Sequence, residues 1–407
     1  MSAANPSSTP NPAPLAGLRI VELSSYVATP LCGMTLAQLG ADVIRVEPLG
    51  GAADRTRLPL APTGTSLYWT GLNKGKRAIA VNLSAPAGKD LVARLAAERG
   101  IVLTNSERVV SPADLRARRP DLIHVLLTGR QDGGSAVDYT VNAECGFPLA
   151  TGPAGGDSPV NHLLPAWDVA AGLYLAVGLL SAVREHARTG RPQNVRVALE
   201  DVALGVTGNL GYLAQAQITG EAREPDGNFV YGTFGKDFLT ADGIRVMVVA
   251  LTPRHWRDLV AMTESAEVIK AIETSRSADF DDEGDRYRHR HLLAAVLGDW
   301  FATRPYAEVA AALSETRVVW SRFRTFTELA SSGLLRDNPL FNELDQPGVG
   351  RHLAPGSPLV VGDNRAPAVP APAVGEHTHE LLREEIGLDE RDIDRLVREG
   401  VIEPRGA

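Results

Sequence analysis

The sequence predicts an α/β fold: a parallel sheet covered by helices on both faces, followed by a smaller α+β domain. Three observations carry this. Through the first half of the chain, short apolar runs of strand length alternate with helix-length stretches, the pattern of βαβ units. Near Gly220 the alternation stops and hairpin-like runs begin. At 407 residues the chain is too long for one simple core and comfortable for two. Its 44% apolar and 22% charged residues are ordinary globular composition.

Residues 18–23 (LRIVEL) and 42–47 (DVIRVE) read as buried strands. Between them 30–39 reads as a helix, with Gly40 suited to its C-terminal cap. Residues 78–83 form the next strand. Residues 86–99 form a helix with proline in its first turn, where a missing N–H costs nothing. Strand 101–104, helix 112–118 and strand 122–127 continue the series. A long helix is expected at 168–186, a strand at 194–199 and one helix at 201–218. The nearly apolar run 169–183 is too short to span a bilayer and predicts a buried helix.

Beyond Gly220, residues 231–239 and 244–250 predict an antiparallel pair turning at Asp242-Gly243. Helices follow near 254–263, 286–303 and 306–315. The expected division is a disordered arm at 1–14, a large domain at 15–220, a small α+β domain at 221–328 and a C-terminal segment at 329–407. That last segment carries a Pro-rich extended part at 366–372 and then two helices.

A net charge of −8 argues against sequence-independent nucleic-acid binding. Only Cys32 and Cys145 occur, with no metal-ligand spacing, which fits a reducing cytoplasm and predicts no metal site. Residues 1–14 lack the basic start and apolar stretch of a signal peptide. The turn after the first strand reads SSYVATP, with no G-x-G-x-x-G, and no G-x-x-x-x-G-K-[ST], H-E-x-x-H or G-x-S-x-G occurs. A dinucleotide enzyme is therefore disfavoured despite the sheet pattern.

Four blocks in order resemble class III (CaiB/BaiF) CoA-transferases: "LAGLRIVELSSYVATPLCGMTLAQLGADVIRVEPLGG", "LYWTGLNKGKRAIAVNL", "PAWDVAAGLYLAVGLLSAVREHARTGRPQNVRVALEDVAL" and "APAVGEHTHELLREEIGLDERDIDRLVREGVI". The resemblance implies a Rossmann-like large domain, an inserted small domain and an interlocked homodimer. It implies an acyl-CoA substrate, with CoA as part of that substrate and no tightly bound cofactor, and neither nucleic acid nor membrane as partner. It makes Asp168 the carboxylate that carries CoA. Local sequence alone reads Asp168 as a helix N-cap; a carboxylate in a dry pocket can also attack a thioester.

The basic cluster Asn73, Lys74, Lys76 and Arg77 reads either as a solvated turn or, by the resemblance, as the CoA-binding element, with Lys76 foremost and Arg45 and Arg108 as further candidates. Pro48 stands where the family has an arginine, and "LTNSERVV" lacks the family's Arg-Pro-Gly ending. In "LLTGRQDGGSAVDYTVN", Arg130, Asp132, Asp138, Tyr139 and Asn142 could face the acyl group, and Gly133-Gly134 would permit close backbone approach. His162 could bind a substrate carboxylate. Gly227, Tyr231 and Gly232 could line the acyl pocket or simply form a turn.

An α-methylacyl-CoA racemase needs two bases, and Val137 replaces one. A non-catalytic CoA-binding scaffold is disfavoured by Asp168 in its full local context. Further segments, among them "GRQDGGSAVDYTVN" and "VNHLLPAWDVAAG", go beyond the generic pattern. They resemble members that move CoA between the two carboxyls of one branched, unsaturated C4 dicarboxylate. Intermolecular transfer to a free acid is the alternative.

Overall fold

The computed structural model describes residues 13–221 and 223–405. Of the arm expected at 1–14, residues 1–12 lie outside them. The chain divides into two units: Met1–Gly146, Asn161–Glu221 and Gly333–Ala407, and Phe147–Val160 with Ala222–Ser332. Residues 147–160, which the sequence pattern assigns to the large domain, fall in the second unit. The reason is local pairing: the Val160 N–H donates to Pro148 O and the Gly227 N–H to Gly152 O.

The first unit is built on six parallel strands: β1 (Arg19–Leu23), β2 (Asp42–Glu47), β3 (Arg77–Ala80), β4 (Ile101–Thr104), β5 (Ile123–Thr128) and β6 (Gln193–Ala198). Their order is β3-β2-β1-β4-β5-β6. The chain steps outward from β1 to β3, then returns to lay β4 on the other side of β1. Such a reversal opens a crevice beyond the carboxyl ends of β1 and β4.

The helices of this half are α1 (Ala28–Gln38), α2 (Leu67–Leu72), α3 (Pro86–Arg99), α4 (Pro112–Arg118), α5 (Asp138–Glu144), α7 (Ala166–Thr189), α8 (Leu199–Asn209) and α9 (Tyr212–Thr219); the short α6 (Phe147–Ala150) belongs to the second unit. Ser66 and Ser111 cap α2 and α4 by accepting backbone N–H bonds. The single helix expected at 201–218 is two, because Gly211 takes a left-handed φ of 85° and ends the run.

Helix α7 has 24 residues, five more than expected, and by length and composition alone it could cross a membrane. It is one-sided rather than buried. Ala171, Leu175, Leu179 and Ala182 face the core, while Leu173, Tyr174 and Val177 are 49%, 51% and 63% exposed. Helices α1 and α7 approach closely at Gly172, where a Cβ would stand 2.7 Å from the Ala28 carbonyl oxygen.

The second unit holds an antiparallel sheet of β7 (Phe234–Leu239), β8 (Arg245–Ala250) and β9 (Val319–Arg322). Around it lie α10 (Pro253–Met262), α11 (Ala266–Arg276), α12 (Glu283–Arg288), α13 (Arg290–Ala302), α14 (Tyr306–Ser314) and α15 (Phe326–Ser331). The helix expected at 286–303 is thus two, separated at His289. Phe234, Trp256, Phe280, Leu293, Leu297 and Phe301 form this unit's own core.

Back in the first unit come α16 (Gly333–Arg336), a hairpin of β10 (Phe341–Gln346) and β11 (Gly350–Pro355), and then α17 (Thr378–Glu384) and α18 (Glu390–Arg398). The hairpin was not legible in the sequence. Alternation along β1 splits the core into two layers. Ile20 joins Leu36, Val43, Leu103 and Leu175 on one side. Val21 joins Ile44, Leu91, Leu95 and the C-terminal Leu381, Leu382 and Ile393 on the other.

Candidate active site

A cavity of about 420 Å³ opens where the sheet order reverses. Tyr26 and its neighbours in the β1–α1 turn, Asn105 after β4, and Thr128 and Gly129 at the end of β5 line it, together with Asp138, Tyr139, Asp168 and Arg57. The turn SSYVATP contains no glycine, yet Tyr26 adopts a φ of 66°, a conformation uncommon for such a residue. Its N–H donates to Asp54 Oδ2 at 2.8 Å, which holds the turn.

Asp168 is not the N-cap that local sequence suggested. Helix α7 begins at Ala166, so Asp168 is its third residue. The capping carboxylate comes from Asp138 at the start of α5. Asp138 Oδ2 accepts the N–H groups of Trp167 at 2.7 Å and Asp168 at 3.0 Å. Its Oδ1 lies 2.6 Å from His162 Nε2. A carboxylate here satisfies amides that the helix leaves unpaired and sits at the positive end of its dipole. One turn along α5, Asn142 Oδ1 accepts the Trp167 indole N–H at 3.0 Å, and its amide donates to Asn161.

Because Asp138 does the capping, the Asp168 side chain stays uncommitted. Its carboxylate has no hydrogen bond or ion pair among the described residues. Burial, and then the Asp138 charge, push its pKa up to about 7, while Arg57 works in the opposite direction. A carboxylate that is poorly solvated and unpaired is a competent nucleophile toward an acyl carbonyl.

Residues 15–378 match the family described as CoA-transferase family III. The chain belongs to that family. It is 46% identical to the 2-methylfumaryl-CoA isomerase of Chloroflexus aurantiacus, covering 95% of this chain and 97% of the relative. It is 29% identical to the succinyl-CoA:mesaconate CoA-transferase of Haloarcula hispanica, covering 90% and 95%. A CaiB/BaiF family protein from Brucella suis has the same fold, with a TM-score of 0.77 at 24% identity, covering 92% and 100%. Family III members transfer CoA, and this chain is accordingly a CoA-transferring enzyme.

The residues expected to hold the CoA phosphates of this family III enzyme are mostly engaged elsewhere. Lys76 is buried, and its ammonium bonds Glu22 Oε1, Pro30 O and Asn73 Oδ1, each at 2.9 Å. Burial lowers its pKa to about 8, against the pull of Glu22. Three acceptors use all three of its donors, so it offers nothing to a phosphate. Arg45 is equally buried and pairs with Glu22 at 3.0 Å and Asp54 at 3.2 Å. Asn73 is tied to Trp69 O and Lys76. Arg77 is held by Asp42, Glu380 and Glu385, which fastens β3 to α17. Lys74 is the exception: among the described residues its ammonium bonds only Gly71 O at 3.0 Å, and burial lowers its pKa. Arg108 is exposed.

Of the acyl-facing candidates, Tyr139 lines the cavity. Arg130 does not serve there, because Glu144 and Glu200 hold its guanidinium. Asn142 is buried beneath Trp167, and His162 is bound to Asp138. Asp132 closes the tight turn at Gly133-Gly134 by accepting the Gly134 N–H. Tyr231 packs edge-on against Tyr287 within the second unit, where Gly227 and Gly232 supply left-handed turns. Sequence reasoning missed Arg57, Tyr26 and Asn105 altogether. Tyr26 and Asn105 lie in segments the resemblance covers, but neither stood out there as a site residue, and Arg57 lies in a loop with no motif of its own; only folding brings them to the cavity with Asp168.

Proposed function

We propose that this enzyme moves CoA between the two carboxyls of 2-methylfumarate (mesaconate) and carries it on Asp168. The observation behind this reading is the Asp168 carboxylate, unpaired beside a cavity at the reversal of the sheet. The 46% identity to an isomerase of 2-methylfumaryl-CoA supports the choice of acid.

The trans double bond keeps the two carboxyls of mesaconate apart, so they cannot close an anhydride with each other. The protein must hold the CoA meanwhile. Asp168 attacks the C-1 thioester carbonyl, the thiolate leaves, and a mixed anhydride forms. The thiolate attacks the aspartyl carbonyl, expels mesaconate as carboxylate, and leaves an aspartyl-CoA thioester. The acid turns, its C-4 carboxylate attacks that thioester, and the thiolate leaves again. The thiolate then attacks the C-4 carbonyl and Asp168 departs as carboxylate.

Intramolecular transfer is tested with unlabelled mesaconyl-CoA in the presence of excess carbon-13 mesaconate. Isomerised product with almost no label is expected, since a trapped acid has a far higher local concentration than a free one. Label entering product as fast as isomerisation would instead establish the intermolecular reaction.

Only ionised Asp168 can attack, so turnover should rise with pH through about 7. Replacing Asp138 with Asn removes a neighbouring negative charge that raises the Asp168 pKa. The acid limb of the kcat/KM profile should therefore move to lower pH. An unmoved limb in Asp138→Asn would refute this electrostatic coupling.

The proposed assembly is a homodimer, supported by the apolar strip Leu173, Tyr174 and Val177 that α7 leaves exposed in the single chain. For the CoA phosphates we favour Lys74, with no carboxylate partner among the described residues, and the exposed Arg108.

A further inference from the structure

We propose that Arg57, with Tyr68 beside it, holds whichever carboxylate of the acid is not reacting, and that this one cation serves both halves of the transfer. The inference rests on the dicarboxylate reading above and names the group that would select for a second carboxylate.

Among the described residues lining the cavity, Arg57 is the only cation. Arg130 and His162 are already bound to carboxylates of the protein. Arg57 is exposed and forms no ion pair among the described residues. Its guanidinium lies 5.5 Å from the Tyr26 ring centre and 4.9 Å from that of Tyr68. Two aromatic rings thus position the cation without using its hydrogen-bond donors. Its backbone is fixed as well: Ser66 Oγ donates to the Arg57 carbonyl at 2.5 Å and also caps α2, the helix that carries Tyr68.

The Tyr68 hydroxyl is a second, independent observation. It is buried with no hydrogen-bond partner among the described residues, and such a group is costly unless something bonds to it. Burial raises its pKa, Arg57 lowers it, and Asp168 and Tyr139 raise it, which places this phenol in the electrostatic reach of the site. A guanidinium fork and a phenol O–H together are a good receptor for one carboxylate.

Position favours the acyl carboxylate over a CoA phosphate. The thioester carbonyl must come within roughly 3–3.5 Å of the Asp168 oxygen to react. The acyl group therefore occupies the cavity that Arg57 lines, and the phosphates lie a full pantetheine arm away. The fumarate frame is nearly two-fold symmetric apart from its methyl group. Turning it over exchanges its carboxyls, so a receptor fixed relative to Asp168 meets a carboxylate before the turn and after it. Holding that carboxylate also keeps the acid from escaping while CoA is on the protein.

The experiment compares wild type, Arg57→Leu and Arg57→Lys in three measurements: isomerisation of mesaconyl-CoA, entry of carbon-13 mesaconate into product, and binding of free CoA by calorimetry. Arg57→Leu should lower kcat/KM by on the order of a hundredfold, the loss of a charge-assisted pair. The labelled fraction of product should rise several-fold, CoA affinity should hold, and Arg57→Lys should recover part of the loss. A purely structural role would not raise the labelled fraction. Unchanged kinetics and labelling in Arg57→Leu would overturn the proposal. So would a CoA dissociation constant rising in step with KM, which would make Arg57 a phosphate ligand. If the wild type does not turn over mesaconyl-CoA, the substrate reading fails by itself. Arg57 is then judged by calorimetry of free mesaconate with CoA-saturated protein: binding lost in Arg57→Leu supports the site, and equal or absent binding to wild type overturns it.

Discussion

Asp168→Ala will abolish CoA transfer, lowering kcat/KM by at least about a thousandfold, a barrier increase of roughly 4 kcal/mol. The reaction as proposed has no route around this side chain. Each half needs a carboxylate that accepts the acyl group and then holds CoA, and water cannot retain the thioester. The variant should fold normally. The Asp168 carboxylate has no hydrogen bond among the described residues, and the α7 N-terminus is capped by Asp138 rather than by Asp168. CoA binding should persist, because the substitution removes no phosphate contact. Mass spectrometry of protein quenched during turnover should find a CoA adduct on wild type and none on the variant. Retention of activity within about tenfold, some 1.4 kcal/mol, would sink the assignment.

Arg45→Ala should destabilise the first unit by about 3–5 kcal/mol, the cost of breaking a buried ion pair and leaving its partners uncompensated. The partners are three. Glu22 and Asp54 pair with Arg45 at 3.0 and 3.2 Å, and Glu47 stands 3.9 Å away. All four side chains are at most 1% exposed. Glu22 also anchors Lys76, and Gly33 of α1 makes room for it: a Cβ there would lie 1.7 Å from Glu22 Oε2. Asp54 in turn fixes the Tyr26 turn at the cavity. Losing Arg45 therefore loosens the floor of the site as well as the sheet. Chemical denaturation should record the loss as a lower midpoint. The family resemblance had suggested that Arg45 contacts CoA; a variant with unchanged stability and weakened CoA binding would restore that role.

By itself the sequence determined the parallel sheet, because runs such as LRIVEL and DVIRVE carry apolar residues on both faces and alternate with helices. It also singled out Asp168, through a block with the family's local pattern around it. It did not determine which charges face water. Lys74, Lys76 and Arg77 are adjacent in sequence, yet one bonds a single carbonyl, one is enclosed beside Glu22, and one clasps α17. The fates of Lys76 and Arg77 depend on Glu22 and Glu380, 54 and 303 positions away, which no local pattern encodes. The capping of α7 is the same kind of fact. An aspartate at a helix start reads as its own cap, but the cap is supplied by Asp138, 30 residues earlier, and that substitution is what leaves Asp168 unpaired. The two breaks near Gly211 and His289 and the β10–β11 hairpin likewise escaped the pattern, since apolar periodicity runs through short interruptions and a half-exposed hairpin carries little of it. Arg57 reaches the cavity from the connection between β2 and α2, where folding sets it among the loops that follow β1, β4 and β5. Hydrophobic period is a local property and fixes secondary structure; the partner of a charge is set by folding, and the chemistry of this site depends on those partners.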